Sequence, residues 1–533
     1  MEELYPEFFN DVFGPIMQPG SSSHTAGPCR LGYIANSLLN SPVKKIHIIL
    51  DPKGSFAGTF GVMNEDLGML AGAYGLLPDN ERLFEIKNIL KEERISYDFE
   101  FSTIKESSHA NAVKFILTSK NGKVLTFVGN SIGGGMIETV MINGFPFKGK
   151  CDTYVYFILD KNNQYERETV INEFKSRYSI LSYGVNRSLE KGTLYWYTSE
   201  NKIESLDEFL EAFPKVEYTM ISPILPVTTT KKKKPQLYNT FTDWIRISKE
   251  RNQGLYETAI DYEMDASGWS KDRIISNMEK IREYMEGQIK TVYKDDSNLL
   301  ETPFSGYHFR DWKKYKESKE TLVGNTVSLA LYYAFGVQAL VKGVKMVPGP
   351  MGTGGGFIYS VLEAARETKN LSHEDMMRGL FIAASVGAIC YSRTDPTGEI
   401  IGCAGECGMC ASMAAAGLTE MLKGTPEEVE CAASLTLQAA IGWPCDPIPG
   451  GDNQPCLSRV ITAVTMAITF SEVAMSGRKC VIPFHEVVDL ADKVGRNMPD
   501  GLKCTSRGGL CDTPTGIKCK MEFENWYLEK SKD

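Results

Sequence analysis

The sequence predicts an α+β N-terminal part followed by an all-α domain. Three observations carry this. Short alternating apolar runs with glycine-rich turns fill the first 150 residues, a Lys/Pro stretch interrupts the chain near residue 230, and helical periodicity then runs almost to the end. At 533 residues the chain exceeds one ordinary core. The expected division is 1–150, an α+β domain; 151–225, a small α+β module; 226–240, a linker; and 241–533, an all-α domain.

Taken in order, an amphipathic segment (Tyr5 to Phe13) precedes the loop Gln18-Pro-Gly-Ser-Ser-Ser-His24-Thr-Ala-Gly-Pro28, which ends where an apolar helix from about Arg30 to Leu39 begins. Hydroxyls and N–H groups at a helix start suit an anion such as a carboxylate, or simply cap the helix. Lys45–Leu50 alternates like a strand, and Asp66–Leu77 reads as a helix after a glycine loop. Strands are expected at Tyr97–Ile104, Ala112–Thr118 and Val124–Val128, with His109 between the first two. Asn130-Ser-Ile-Gly-Gly-Gly135 reads as a turn that lets backbone approach a ligand closely.

Residues 152–213 read as strand, helix, strand, strand, helix, a pattern open to a regulatory role, although the first strand lacks the glycine turn common in amino-acid-sensing modules. Pro226 to Pro235 is the clearest linker, and its Lys231–Lys234 run reads as a solvated segment. Helices are expected at Thr242–Asn252, Asp272–Tyr293, Thr326–Lys342, Phe357–Glu367, Ser372–Cys390, Ala411–Leu422, Pro426–Ala440, Leu457–Met475 and Phe484–Arg496. The loop Val347 to Gly356 lacks the Gly-Lys-Ser/Thr ending of a phosphate loop.

Composition narrows the function. A 42% hydrophobic and 23% charged chain of net charge −9 is not built around nucleic acid. No uninterrupted apolar run reaches about 18 residues, and Met1 leads into acidic residues, so no membrane association and a cytoplasmic location are expected. Of 13 cysteines, 11 fall in the last 144 residues. An extracellular disulfide framework does not fit a chain of this size, so metal or redox chemistry is the better reading, with thiols such as Cys431 serving as core residues.

Two arrangements compete. Cys403, Cys407 and Cys410 have the C-x3-C-x2-C spacing of radical S-adenosylmethionine enzymes, yet they sit late in the chain at the head of a helical region. Cys403, Cys445 and Cys456, each flanked by glycine or proline, would leave one iron of a four-iron cluster open. The setting favours the second. A zinc site from the same thiols lacks two histidines at helical spacing.

Ser21-Ser-Ser-His-Thr-Ala-Gly-Pro28, Ser131-Ile-Gly-Gly-Gly135, Gly402-Cys-Ala-Gly-Glu-Cys-Gly408, Cys445-Asp-Pro, Pro455-Cys456 and Ser506-Arg-Gly-Gly-Leu510 resemble, in order, the bacterial iron–sulfur-dependent L-serine dehydratases, with the family's β and α parts in one polypeptide. The resemblance implies one 4Fe-4S cluster on Cys403, Cys445 and Cys456, and no pyridoxal phosphate. It implies a lyase that removes water from L-serine or a related small hydroxy or amino acid. His24 would be the base and His109 the second candidate. Ser21, Ser22, Ser23 and Thr25 would hold the substrate carboxylate, with Gly352, Thr353, Ser506 and Arg507 also at the substrate. A homodimer is the expected assembly.

The chain departs from the family at Met351-Gly352-Thr353, where Thr-Asn-Gly is usual, and at Ala404, where Gln is usual. Glycine takes less volume than asparagine, so a substrate larger than serine is expected, unless Asn325 or Asn453 supplies the missing contacts. The family's cluster-capping C-terminal cysteine has only Cys511 and Cys519 as counterparts, at other spacings. A second class of function is an amino-acid-sensing cluster protein without turnover.

Overall fold

A computed structural model describes residues 5–228, 235–300, 308–449 and 454–530. The Lys231–Lys234 run of the expected linker and Asn453 lie outside them.

The N-terminal part runs α1 (Gly27–Leu39), β1 (Val43–Leu50), α2 (Ser55–Gly58), α3 (Glu65–Tyr74), α4 (Ile86–Glu92), β2 (Ser96–Phe101), β3 (Ala112–Ser119), β4 (Val124–Gly133), β5 (Met136–Ile142) and β6 (Phe145–Pro146). β1 pairs in parallel with β2 and antiparallel with β3; β3 to β6 continue as a meander, giving the order β2-β1-β3-β4-β5-β6. Ile46, Ile48 and Leu50 turn one face of β1 inward, where Leu31, Ile34 and Leu38 of α1 cover the sheet. α1 and α3 cross closely because glycines stand at the contact. A β-carbon on Gly72 would lie 1.9 Å from the Cys29 carbonyl oxygen, and one on Gly68 2.4 Å from that of Thr25. This crossing holds the Ser21–Ala26 loop against α3.

Next come β7 (Tyr154–Asp160), α5 (Arg167–Arg177), β8 (Ser182–Ser188), β9 (Gly192–Ser199), α6 (Asp207–Ala212) and β10 (Glu217–Ile221). They form a four-stranded antiparallel sheet ordered β10-β7-β9-β8. The sequence pattern lacked the closing strand β10, whose exposed Glu217 and Tyr218 give it no apolar alternation. Phe174 of α5 stacks on Tyr197 of β9 at 3.8 Å between ring centroids.

The rest is helical: α7 (Phe241–Glu250), α8 (Leu255–Ser267), α9 (Lys271–Lys290), α10 (His308–Ser318), α11 (Gly324–Gln338), α12 (Gly354–Lys369), α13 (His373–Arg393), α14 (Gly398–Ile401), α15 (Cys407–Met421), α16 (Pro426–Ala440), α17 (Gln454–Met475), α18 (Phe484–Arg496) and α19 (Pro514–Lys530). The α+β-then-all-α architecture is as the sequence predicts. α8, α10, the short α14 and α19 are additional to the expected helices. α15, buried along its whole length, is the axis around which α12, α13, α16 and α17 pack. Small residues permit this: a β-carbon on Gly417 would lie 2.6 Å from the Gly379 carbonyl oxygen of α13. One described segment, Cys456–Met475 in α17, is long and apolar enough to cross a membrane by length and composition; here it packs against α11, α15 and α16.

The chain's ends cross between the two parts. Phe8 and Phe9, in a π-helical turn (Phe8–Val12), bury in the helical core against Tyr262 and Trp269. Val227, at the expected linker's start, is buried and exchanges two hydrogen bonds with the Asn10 side chain. At the other end Tyr527 of α19 donates to Asp66 of α3 (2.6 Å).

The π-helical turn is held by buried acids. Phe8 N–H donates to Glu263 (2.9 Å) and Phe9 N–H to Glu7 (2.8 Å). Burial pushes both carboxyls above their usual range, and each acid's charge near the other adds to Glu7's shift. A carboxyl kept protonated only in the folded state contributes stability that is full below the ordinary value near 4.5 and is lost as pH rises toward the raised one. Glu263→Gln removes the ionisable proton at nearly constant shape. Its melting temperature should pull ahead of the natural protein's from pH 5 to pH 8.5, up to on the order of 1.4 kcal/mol per pH unit for one proton. A gap independent of pH would show that the pair ionises freely in the fold.

Candidate active site

Ser21 caps a second π-helical turn, Ser22–Ala26, and its Oγ accepts from His24 N–H (3.1 Å). Ser22, Ser23 and His24 are buried inside this turn. The turn rests on the end of β4, where Ser131 Oγ donates to the Ser23 carbonyl (2.7 Å) and Gly133, Gly134 and Gly135 all take positive φ. A β-carbon on Gly27 would lie 2.1 Å from Ser131 Oγ, so the two motifs touch.

The hydrogen bonds of His24 define its tautomer. Ser55 Oγ donates to the Cys504 carbonyl (2.7 Å), so its lone pair receives the His24 Nε2 proton (2.9 Å). Nδ1 is left as the basic nitrogen, 2.9 Å from Ser23 Oγ and 3.5 Å from Ser21 Oγ. Burial lowers the His24 pKa below 6.5, partly opposed by the charge of Glu399. The imidazole is therefore neutral near pH 7, with a lone pair on Nδ1. His109, half-buried just before β3, accepts from Asn111 N–H at its own Nδ1 (3.1 Å).

The cysteines gather on the other side. Cys403 follows Gly402, whose positive φ lets the turn approach the Trp443 carbonyl, and Cys403 N–H donates to that carbonyl (2.9 Å). Cys445 and Cys504 lie side by side: Cys445 N–H donates to Leu502 O (2.8 Å), Cys504 N–H to Cys445 O (2.6 Å), and their thiols hydrogen-bond. A hydrogen bond from Cys407 pulls the Cys403 pKa down, and the Arg459 guanidinium adds to this. Arg459, held by Asp446 at 2.6 Å, also acts electrostatically on Cys456, which is half-buried near the start of α17. Buried thiols beside one guanidinium suit a soft, thiolate-bound iron–sulfur group. Close approach at Cys445 is allowed by Gly398, where a β-carbon would lie 2.8 Å from its sulfur.

Cys407 and Cys410 stand in the first turn of α15, which starts four residues earlier than the periodicity predicts. Cys407 Sγ meets Met351 Sδ at 3.4 Å, and Cys410 packs at Gly349 and Gly354. Cys511 donates to the Asp446 and Pro447 carbonyls (3.4 and 2.6 Å), and Cys519 lies on α19.

Several expected substrate residues are engaged elsewhere. Thr25 Oγ1 accepts from Ser21 N–H and donates to the Met63 carbonyl. Ser506 Oγ donates to the Pro447 carbonyl (3.1 Å). Arg507 is exposed, and its guanidinium donates to the Pro52 and Lys53 carbonyls just after β1. Gly352 packs directly against the serine turn. A β-carbon there would lie 2.8 Å from Gly20 O and 2.9 Å from Ser22 N, so the space gained by losing a side chain is filled by the serine turn, not opened to a larger ligand. Thr353 is half-buried at the start of α12, and Asn325 is exposed on α11.

The residues that join the two halves escaped sequence reasoning. Ligand atoms of His24, Glu399 and Cys504 lie within 4.8 Å of one another, all buried. Cys504, which also touches Cys445, thus links the imidazole to the thiols. Its place before Thr505-Ser506 was a visible signal, as was that of Glu399 four residues before Cys403; no spacing rule connects either to His24.

Fold and site together set a buried, neutral imidazole against a wall that it shares with clustered thiols. A sequence profile described as the serine dehydratase alpha chain matches residues 201–511. The L-serine dehydratase alpha chain of Peptoniphilus asaccharolyticus is 28% identical over 54% of this chain and 98% of its own length. The beta chain from the same organism is 32% identical over 37% of this chain and 78% of its own length, and a probable alpha chain from Bacillus subtilis is 28% identical over 54% and 95%. The chain belongs to the serine dehydratase family of lyases, with alpha- and beta-type parts joined in one polypeptide.

Proposed function

We propose that this protein is an L-serine dehydratase that uses His24 as base and an iron–sulfur cluster held by Cys403, Cys445 and Cys456. The observation that carries the reading is the junction at Cys504, which puts a neutral imidazole and the thiol group against one buried wall. When bound, a cluster with an open iron supplies a Lewis acid for the departing hydroxyl.

The rest is work for side chains. Ser21, Ser22 and Ser23 line the turn that receives the substrate carboxylate, closed by the glycines after β4. His24 Nδ1 takes the Cα proton, and the resulting imidazolium is steadied by Ser55, which keeps the Nε2 proton in place. The Cα–H and Cβ–O bonds break, a Cα=Cβ double bond forms, and water leaves. The enamine acid tautomerises and hydrolyses to pyruvate and ammonia.

The filled space at Gly352 favours serine over the bulkier substrates that the sequence pointed to. L-Serine should exceed L-threonine in kcat/KM by about 10- to 200-fold, the range one extra methyl commands in a confined pocket. Anaerobic assays of L-serine, L-threonine and larger 3-hydroxy amino acids decide this; a larger substrate winning would restore the open-pocket reading.

A further inference from the structure

Two buried oxygens on side chains that meet next to His24 have no hydrogen-bond partner in the protein: Glu399 Oε2 and Asn111 Oδ1. Glu399 is 6% exposed and Asn111 is fully buried. The two side chains orient each other, since Asn111 Nδ2 donates to Glu399 Oε1. That bond leaves the carboxylate's second oxygen and the amide's one oxygen as acceptors without a donor. The backbone of Asn111 is already committed, its N–H to His109 and its carbonyl to Ser131 N–H. Burying a carboxylate oxygen and an amide oxygen together without donors is strongly destabilising, so the arrangement calls for a donor from outside.

We propose that Glu399 and Asn111 form the pocket for the α-ammonium group of the substrate. The inference rests on the proposed amino-acid substrate and specifies how that class is recognised. An ammonium brings N–H donors and one positive charge; the site offers two unpartnered acceptor oxygens, one of them on a carboxylate. One oxygen of the Glu399 carboxylate lies within 4.8 Å of a His24 ring nitrogen, so an ammonium there brings Cα, one bond away, toward the imidazole. A divalent metal held by His24, Glu399 and Cys504 fits less well, because it brings no donor for the Asn111 amide oxygen. Recognition by paired acceptors selects amino acids and rejects acids that lack the amine.

The test compares L-serine with 3-hydroxypropanoate, which is serine without its ammonium, on the anaerobically purified holoenzyme and its Glu399→Gln variant. In the natural protein L-serine should bind at least about tenfold more tightly. Glu399→Gln should raise KM for L-serine by about 10- to 100-fold while the inhibition constant of 3-hydroxypropanoate moves less than about twofold. A purely structural role would weaken both ligands alike, and that result overturns the pocket. So does a divalent ion retained by the natural protein and lost in Glu399→Gln. Absence of pyruvate formation from L-serine would reject the proposed reaction instead. The pocket is then judged by calorimetry with glycine against acetate and L-alanine against propionate, where no Glu399-dependent preference for the amine overturns it.

Discussion

Replacing Cys445 by serine should strip the protein of most of its cluster iron and visible absorbance, and abolish turnover. A hard hydroxyl is a poor substitute for a soft thiolate toward iron, and the three proposed ligands leave none to spare. Cys445 also has the most constrained setting of the three: its backbone is fixed on both sides by Leu502 and Cys504, and Gly398 abuts its sulfur. Cys431→Ser is the control, because that thiol donates to the Arg478 carbonyl on the far side of α16 and should keep full iron. Cys410→Ser should keep its iron too, since Cys410 is occupied in packing α15 against Gly349 and Gly354. Anaerobic iron analysis and absorbance measure all three. Full iron in Cys445→Ser would remove it from the ligand set.

His24→Ala should lower kcat by about 10² to 10⁴ with iron content unchanged. If the imidazole served only the local turn, the loss would be about 1 kcal/mol of stability with near-normal turnover. The pH profile separates the two. Because burial holds the His24 pKa below 6.5, the neutral base persists to lower pH than a free imidazole would, and activity should fall only on the acid side of 6.5. The same shift sets the sign for stability. A histidine buried neutral contributes stability that is intact above the unfolded value and is lost as pH falls through 6.5 toward the folded one. His24→Ala should flatten that acid limb in residual turnover; a variant retaining both the limb and the rate would assign the base elsewhere.

The dividing line between sequence and structure runs through particular residues. Periodicity determined the architecture: alternation in Ile46, Ile48 and Leu50 made β1 legible, and Ala/Gly-rich 3.6-residue repeats made α13, α15 and α16 legible, because burial on one face or all round leaves its period in the chain. It failed where burial is weak or local, as in β10 and α10. Motif order likewise determined the family, since Ser21–Pro28, Gly402–Gly408 and Ser506–Leu510 are each recognisable alone.

Only the tertiary structure decided which members of those motifs face one another. Arg507 stands in a matching motif yet caps carbonyls at the surface, while Cys504 and Glu399, outside the residues singled out, meet His24. Gly352 read as added room until the serine turn was found packed against it. His24, Glu399 and Cys504 each lie more than a hundred residues from the next, and their approach depends on how the α1–α3 crossing, the α14 turn and the loop after α18 stack. That packing depends on long-range shape complementarity, which has no period and no fixed spacing along the chain.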